Sequence, residues 1–347
     1  MTRTAKQVDH VSPDPTTAKA MGAYYTTAAV ARFLVRWALR APTDVVLDPS
    51  FGGGVFLNAA CERLHHMGGV PAAKVRGVEL DGRVFAEVLR QLGERWGLKA
   101  EQLRLSDFFE VEPGPEVDAV VGNPPFIRYQ RFTGDMRKRA LNRVRSQGVQ
   151  LSELASSWAP FLIHSTAMLK PGGRMAMVTP VEIGHAAYAL PVLQFLSKAF
   201  ASVTFITFRT RLFPDISEDT LLLLAEDQGA PFSGFRWMDL ADAAALEALT
   251  VKKAQPFAGS EPLNTAKLIK GHERLSDHYI PKKARGLYRE LAGSASVQRL
   301  GKIADVGIGY VTGANDFFHL GPEQLKRWHI PAQYLRPAVR RGRALPG

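Results

Sequence analysis

The feature that most constrains the fold is a short apolar strand that ends in an acid and runs into a glycine-rich turn. The strand is Asp44–Asp48, the turn reads Asp48-Pro49-Ser50-Phe51-Gly52-Gly53-Gly54, and a helix is predicted from Val55 to about His65. This order opens a nucleotide-binding α/β unit, whose glycines let a ligand approach the backbone. The turn lacks the Gly-x-Gly-x-x-Gly pattern, and a carboxylate there would repel a pyrophosphate. It suits a ligand with an amine and a sulfonium cation; a plain glycine-rich βα turn is the alternative.

Two further predicted strands carry acids at their ends. The second strand, Lys74–Asp81, brings Glu79, and the third, Leu103–Phe109, brings Asp107 and Phe108. Ligands of open parallel sheets bind at the carboxyl ends of the strands, so we expect these side chains along one edge. Glu79 could accept hydrogen bonds from ribose hydroxyls, and Asp107 could accept from an adenine amino group while Phe108 covers the ring. Considered singly, each acid could instead cap a helix.

The fourth predicted strand, Val117–Gly122, leads into the stretch Asn123-Pro124-Pro125-Phe126. The prolines bias the residue before each of them toward extended backbone, so the stretch is stiff. The Asn123 amide oxygen and the Pro124 carbonyl could then accept hydrogen bonds from one amino group, with Phe126 as a flat neighbour. This arrangement would grip a planar base that carries an NH2 group. An ordinary Asn-Pro turn is the alternative interpretation.

The remaining pattern completes an α/β fold. Further strands are predicted at Arg174–Pro180, Val203–Phe208 and Asp219–Ala225, with helices at 82–96, 153–169 and 186–199, a closing turn at Lys170–Gly173, and beyond residue 228 only a strand near Phe235 and a helix near 241–249. The short loop between the last two main strands requires them to be antiparallel neighbours. We therefore expect a mostly parallel seven-stranded sheet with one reversed strand near an edge.

A basic loop is predicted after the Asn-Pro-Pro-Phe stretch, and we call it the basic segment. Its cations are Arg128, Arg131, Arg137, Lys138, Arg139, Arg143 and Arg145. Such a run is either a solvated helix face or a set of phosphate contacts. The net charge of +11 also suggests a polyanionic partner.

Composition narrows the setting. The single cysteine, Cys61, excludes intrachain disulfides and Cys-based zinc sites and fits a reducing cytoplasm. The sequence contains no run of about 18 apolar residues, so no membrane span is predicted. We expect a bacterial cytoplasmic, nucleoid-associated protein without a metal; the oligomeric state is left open, a monomer included.

The order of these motifs resembles that of the gamma-class, TaqI-like DNA adenine-N6 methyltransferases. The matching residues are, in chain order, Tyr24-Tyr25-Thr26, Asp48 to Gly54, Glu79, Asp107-Phe108, Asn123-Pro124-Pro125-Phe126, Phe213-Pro214 and Gly309 to Asn315. The resemblance implies a Rossmann-like class I methyltransferase fold, S-adenosyl-L-methionine as cofactor and double-stranded DNA as partner. It implies methyl transfer to a flipped-out adenine in a restriction-modification or phage-defence system.

The same resemblance assigns the site. The catalytic residues would be Asn123, Pro124, Pro125, Phe126 and Phe213. The cofactor-binding residues would be Tyr25, Thr26, Asp48, Pro49, Phe51, Gly52, Gly54, Glu79, Asp107, Phe108 and Asn123. Residues 1–20 are expected to be a disordered tail, 21–250 the catalytic domain, and 251–347 a linker with an incomplete target-recognition domain.

Other functions fit part of the pattern. An RNA or protein-glutamine methyltransferase could use the same Asn-Pro-Pro-aromatic motif, since each must hold a planar amino group. A nicotinamide oxidoreductase is disfavoured by the missing fingerprint glycine and by Asp48. A non-catalytic DNA-binding subunit is disfavoured by the complete set of motifs. The recognition sequence and any accompanying nuclease are not readable from these residues.

Overall fold

A computed structural model describes residues 26–212, 219–251, 257, 259–305 and 315–336. The chain divides into two compact units, Met1–Lys282 and Lys283–Gly347. Among the described residues, no helix combines the length and the apolar character needed to cross a membrane.

The first unit alternates strands and helices over most of its length. In chain order its elements are α1 (Ala28–Ala38), β1 (Val46–Asp48), α2 (Val55–His66), α3 (Pro71–Lys74), β2 (Val75–Glu79), α4 (Gly82–Trp96), β3 (Leu103–Leu105), β4 (Val117–Gly122), α5 (Gly134–Ser146), α6 (Trp158–Thr166), β5 (Leu169–Pro180), α7 (Ala189–Ala199), β6 (Phe200–Phe208), β7 (Thr220–Gln228), β8 (Gly234–Leu240), α8 (Ala245–Val251), β9 (Glu261–Pro262) and α9 (Thr265–Ile269). Short 3-10 turns lie at Phe108–Glu110, Val181–Gly184 and Leu275–Tyr279.

Helix α4 shows how local sequence sets these boundaries. The Asp81 carboxylate accepts hydrogen bonds from the backbone N–H groups of Arg83 and Val84 and so caps the first turn. Val84, Val88 and Leu92, each four residues apart, form the buried stripe that holds the helix against the sheet. The helix ends at Trp96 and is followed by Gly97, whose positive φ of 72° suits a residue without a side chain.

The sheet has nine strands within the described residues, in the order β3-β2-β1-β4-β5-β7-β6-β8-β9. The first five of these positions are parallel, and β7 runs antiparallel to both β5 and β6. The expected seven-stranded sheet is therefore wrong in number, although the mostly parallel α/β architecture is confirmed. The reversed strand is interior, because β6, β8 and β9 follow it in the sheet; β8 pairs in parallel with β6, and β9 pairs antiparallel with β8.

Strand β5 gives a second correction. Lys170–Gly173 was predicted as the turn that closes a helix, but these residues lie within β5. The pairing of β4 with β5 shifts register there, from Val117 opposite Leu169 to Ala119 opposite Arg174. A bulge thus accommodates the proline and glycines that a regular interior strand would exclude.

The core lies on both faces of the central strands. In β4, Val117, Ala119, Val120 and Val121 are all buried, as expected for a parallel strand covered by helices on both sides. The four leucines Leu221–Leu224 of β7 are likewise buried. This rigid centre holds the carboxyl ends of β1, β2 and β4 side by side.

The second unit, taken by itself, is helical in its described part. It contains most of α10 (Lys282–Gly293), α11 (Asn315–Phe318), α12 (Pro322–Trp328) and 3-10 turns at Leu300–Lys302 and Ala332–Tyr334.

Candidate active site

The glycine turn after β1 is shaped by two left-handed residues. Gly52 has φ of 46° and Gly54 has φ of 75°, a region that side chains other than glycine's rarely adopt. A Cβ at Gly54 would also lie 2.8 Å from a Val88 methyl. The Gly54 N–H donates to the Phe51 carbonyl, which closes the turn. The backbone conformation at Gly52 and Gly54, and the close contact with Val88, therefore explain why glycine occupies these positions.

Glu79, at the end of β2, ties this turn to its neighbour. One carboxylate oxygen accepts from the Gly52 N–H at 2.8 Å. The other accepts from the N–H groups of Leu80 and Asp81, both at 2.8 Å. A carboxylate offers about four acceptor positions, so Glu79 can still accept from a ligand hydroxyl. The turn and the predicted ribose acceptor thus form one unit.

Asp48 is the most perturbed acid of the site. It is 1% exposed, its Oδ1 accepts from the Ser50 N–H at 3.1 Å, and its Oδ2 has no hydrogen-bond partner among the described residues. Burial raises the pKa of Asp48 to about 8; the Ser50 N–H opposes this and the Glu79 charge adds to it. A buried carboxylate with one unsatisfied oxygen suits a cationic ligand, since a positive charge would restore its ionised form.

Gly122 brings the end of β4 against Asp48. A Cβ at Gly122 would lie 2.9 Å from Asp48 Oδ1 and 3.4 Å from Pro49 Cδ. Only a glycine permits this approach without displacing the buried acid. The residue before Asn123 therefore helps to set the distance between the Asn-Pro-Pro-Phe stretch and the first strand.

Asn123 and Thr26 meet although 97 residues separate them. The Asn123 side-chain NH2 donates to Thr26 Oγ1 at 3.2 Å. Thr26 is buried and Asn123 is half-buried. This bond fixes the amide plane and turns the amide oxygen, its acceptor end, away from Thr26. The predicted grouping of the leading Thr with the Asn-Pro-Pro-Phe stretch is thus observed at Thr26.

Ser157, just before α6, anchors the other end of the stretch. Its hydroxyl accepts from the Ile127 N–H at 2.8 Å and donates to the Pro125 carbonyl. Its own N–H donates to the Ile127 carbonyl at 3.0 Å. Sequence reasoning missed this residue, because Ser157 falls inside the predicted helix 153–169 and its partners lie about 30 residues away.

Asp107 lies at the end of β3 and is 6% exposed. Its Oδ1 accepts from the Phe109 N–H at 3.0 Å, and its Oδ2 accepts from Arg139 Nε at 3.0 Å and Nη2 at 2.8 Å. The hydrogen bond to Asp107 raises the pKa of Arg139. Sequence reasoning placed Arg139 among phosphate-binding or solvated residues and missed this pairing.

The basic segment therefore has a mixed role. Residues 134–146 form helix α5, not a loop. Arg137 donates to the Phe132 and Glu153 carbonyls, Arg139 binds Asp107, and Arg143 binds Glu112. These three arginines bind groups of the protein itself. Fewer cations of the basic segment therefore remain to contact an external phosphate.

The two predicted stacking rings are buried. Phe126 is 7% exposed. Phe108 is 3% exposed; its ring stacks on Phe161 at 5.3 Å and contacts His164 at 4.7 Å. His164 packs in this cluster, and its Nε2 lies 3.1 Å from the Val111 carbonyl oxygen. Desolvation by burial lowers the pKa of His164 to about 4, so we assign it a structural role. Stacking roles for Phe108 and Phe126 stay predictions, and Tyr25 and Phe213 lie outside the described residues.

A cleft of about 490 Å³ opens at the carboxyl ends of β5 and β6. Its lining is Val181, His185, Thr207 to Leu212, Asp219, Thr220, Ser276 and Tyr279. The acids Asp48, Glu79 and Asp107 follow the strands of the other half of the sheet. Asn123 follows β4, between the two halves, so the edge divides into an acidic side and a cleft side.

Comparison with known proteins gives this arrangement a family. Residues 14–184 match the family model described as N-6 DNA Methylase, and residues 272–347 match the C-terminal domain of the Type II methyltransferase M.Eco57I. The match to the N-6 DNA Methylase family model and to Type II methyltransferases confirms the predicted resemblance to adenine-N6 DNA methyltransferases. Methyltransferases of this family use S-adenosylmethionine, and the buried Asp48 with its unsatisfied oxygen fits a cationic cofactor.

Two curated relatives show the extent of the match. The chain is 21% identical over 327 residues to the Type II methyltransferase M.AccI of Acinetobacter calcoaceticus, covering 92% of this chain and 57% of the relative. It is 27% identical over 164 residues to M.XamI of Xanthomonas campestris pv. amaranthicola, covering 46% of this chain and 30% of the relative. The chain thus spans about half or less of these relatives.

Solved structures confirm the fold. The type IIG restriction endonuclease BpuSI superposes with a TM-score of 0.60 at 16% identity, covering 92% of this chain and 41% of that protein. The DrdV protein in its DNA complex superposes with a TM-score of 0.56 at 13% identity, covering 72% and 31%.

Proposed function

We propose that this chain transfers the methyl group of S-adenosylmethionine to the N6 amino group of a flipped-out adenine at specific sites in duplex DNA. The observation that carries the proposal is the fixed Asn123 side chain, which donates to Thr26 and follows Gly122, the residue of β4 that packs against Asp48. The N-6 DNA Methylase match over the same residues supports it.

The acidic side of the edge would hold the cofactor. Asp48 offers a buried carboxylate for the amino-acid end, Glu79 offers acceptors for the ribose, and Asp107 offers an acceptor for the adenine amino group. The left-handed glycines Gly52 and Gly54 keep the turn open for close approach. When bound, S-adenosylmethionine supplies an electrophilic methyl group on a sulfonium.

Asn123 and Pro124 would act on the substrate amino group. Its nitrogen is a weak nucleophile because the lone pair is delocalised into the ring. The Asn123 Oδ1 and the Pro124 carbonyl can accept hydrogen bonds from its two N–H groups and so turn the lone pair out of the ring plane. The nitrogen would then take the methyl group as the methyl–sulfur bond breaks, with S-adenosylhomocysteine left behind and one N6 proton lost to water. Methyl transfer then requires correct positioning of the amino group and no strong base. Orientation of the reacting groups alone can lower the activation free energy by several kcal/mol. Ser157 keeps the Pro125 carbonyl and the Ile127 N–H fixed while this occurs.

DNA is the proposed partner on the cleft side. An adenine in a duplex must leave the stack before its amino group can reach Asn123, which costs a few kcal/mol. Stacking on Phe126, and on the predicted Phe213, would offset about 1–3 kcal/mol per base. The Type II methyltransferases to which the chain is similar support a role in restriction-modification.

The test is the variant Asn123→Ala, with Asn142→Ala as matched control because Asn142 is an exposed residue of α5. We expect Asn123→Ala to bind S-adenosylhomocysteine within a few-fold of the wild type and to lose tritium transfer to DNA by about 10²-fold or more. Asn142→Ala should match the wild type in both. Full transfer by Asn123→Ala would overturn the mechanism, and wild-type transfer to RNA or to a glutamine peptide but not DNA would overturn the substrate assignment.

A further inference from the structure

Helix α5 follows the Asn-Pro-Pro-Phe stretch and reaches back to the end of β3. Its Arg139 places both Nε and Nη2 on one oxygen of Asp107, at 3.0 and 2.8 Å. The side chain of Arg139 is 40% exposed, whereas that of Asp107 is 6% exposed. The pair therefore has a buried acceptor end and a partly solvated cationic end, a geometry that favours a persistent contact over a mobile surface pair.

The hydrogen bonds around Asp107 leave one acceptor position. Arg139 takes both positions of Oδ2, and the Phe109 N–H takes one position of Oδ1 at 3.0 Å. A carboxylate offers about four such positions, so the second position of Oδ1 remains for a ligand. Arg139 thus orients the carboxylate without using its whole capacity.

We infer that Arg139 is a positioning residue for cofactor recognition: it balances the charge of Asp107 and holds its carboxylate in the orientation that reads the 6-amino group of the cofactor's adenine ring. This inference rests on the proposed function, since it takes S-adenosylmethionine as the ligand. Arginine is suited to the task because its planar group binds one oxygen with two donors, which a lysine cannot reproduce. A site built to accept from an amino group rejects the analogue that lacks it.

A second arginine of α5 separates this role from simple anchoring of the helix. Arg143 binds the Glu112 carboxylate with two donors, at 2.8 and 2.6 Å, and donates to the Phe109 carbonyl at 3.0 Å. Glu112 is 81% exposed, so this is a solvated pair that does not include the buried acid. Removing Arg143 loosens the same helix and the same neighbouring turn but leaves the donors to Asp107 in place.

The experiment compares two probes on the intact chain by calorimetry. S-adenosylhomocysteine carries the 6-amino group, and S-inosylhomocysteine carries a 6-oxo group that repels the carboxylate. We expect the wild type and Arg143→Gln to prefer the amino probe by about 30-fold or more, and Arg139→Gln to bring the ratio to within about 3-fold of unity. Arg139→Lys, which keeps the charge and protects against misfolding, should give an intermediate ratio. In an Asp107→Asn background, Arg139→Gln should change the ratio no further.

The outcomes are distinguishable. Equal loss of affinity for both probes in Arg139→Gln, with the preference intact, would show a structural role only and overturn the inference while the proposed function stands. A wild type that binds both probes equally would overturn the assignment of Asp107. A wild type that binds neither probe would overturn the proposed cofactor, and the inference with it.

Discussion

The buried acid at the end of β1 makes a quantitative prediction about stability. Asp48 is 1% exposed and desolvation raises its pKa to about 8. In the unfolded chain the same group titrates near its ordinary value of 3.8. Between these two values the folded protein holds a proton that the unfolded chain has released. The free energy of unfolding therefore falls as the pH rises through this window, and it levels off above about pH 8.

The variant Asp48→Asn removes this titration and keeps the size of the side chain and an acceptor for the Ser50 N–H. One pH unit within the window is worth about 1.4 kcal/mol. Between pH 6 and pH 8 we therefore expect the variant to gain about 2–3 kcal/mol of unfolding free energy relative to the wild type. Urea unfolding of both proteins at several pH values measures this difference directly.

A matched control separates burial from the loss of a negative charge. Asp135 carries a side chain that is 78% exposed, so Asp135→Asn removes a negative charge from the surface and serves as the control for Asp48→Asn. If the free energy of unfolding of the wild type and of Asp48→Asn changed with pH in the same way, Asp48 would not be a desolvated acid. The same variant should also bind S-adenosylhomocysteine about 10-fold or more weakly at pH 8.5, where the wild-type carboxylate is ionised. Unchanged binding there would remove Asp48 from the cofactor site.

Three other substitutions test the remaining contacts. Gly122→Ala places a Cβ 2.9 Å from Asp48 Oδ1, so thermal unfolding should show a loss of about 1–3 kcal/mol, whereas Gly114→Ala, whose Cβ meets nothing closer than 3.7 Å, should show almost none. Ser157→Ala removes the hydroxyl that bonds to both Ile127 and Pro125. It should lower kcat and leave S-adenosylhomocysteine binding unchanged. A normal kcat would show that this hydroxyl is dispensable. Phe126→Leu keeps a buried apolar side chain and should reduce the 2-aminopurine fluorescence increase on DNA binding; an unchanged increase would argue against stacking of the extruded base on Phe126.

The sequence was most informative where backbone geometry alone decides the outcome. Acids placed at the ends of predicted parallel strands had to reach one edge, and Asp48, Glu79 and Asp107 do so. The glycines of the turn were predictable because only glycine adopts the left-handed conformation of Gly52 and Gly54 without strain.

The sequence was least informative about long-range partners. Ser157 and Arg139 act on residues about 30 positions away, and neither carries a local signal that distinguishes it from a cap or a surface cation. A strand was predicted near Phe235, where β8 lies, but its place in the sheet was not, and β9 was missed altogether for a related reason. β8 joins the sheet by pairing with β6, and β9 joins it by pairing with β8; no short window of sequence records such long-range pairing.

The central claim is methyl transfer to the N6 position of adenine in duplex DNA. The most direct measurement is to incubate unmodified duplex DNA with the protein and S-adenosylmethionine that carries a deuterated methyl group, and then to analyse the nucleosides by mass spectrometry. We predict label in N6-methyldeoxyadenosine only, and none with Asn123→Ala. Label in a cytosine derivative, or transfer confined to RNA or to a glutamine-containing peptide offered in parallel, would contradict the account.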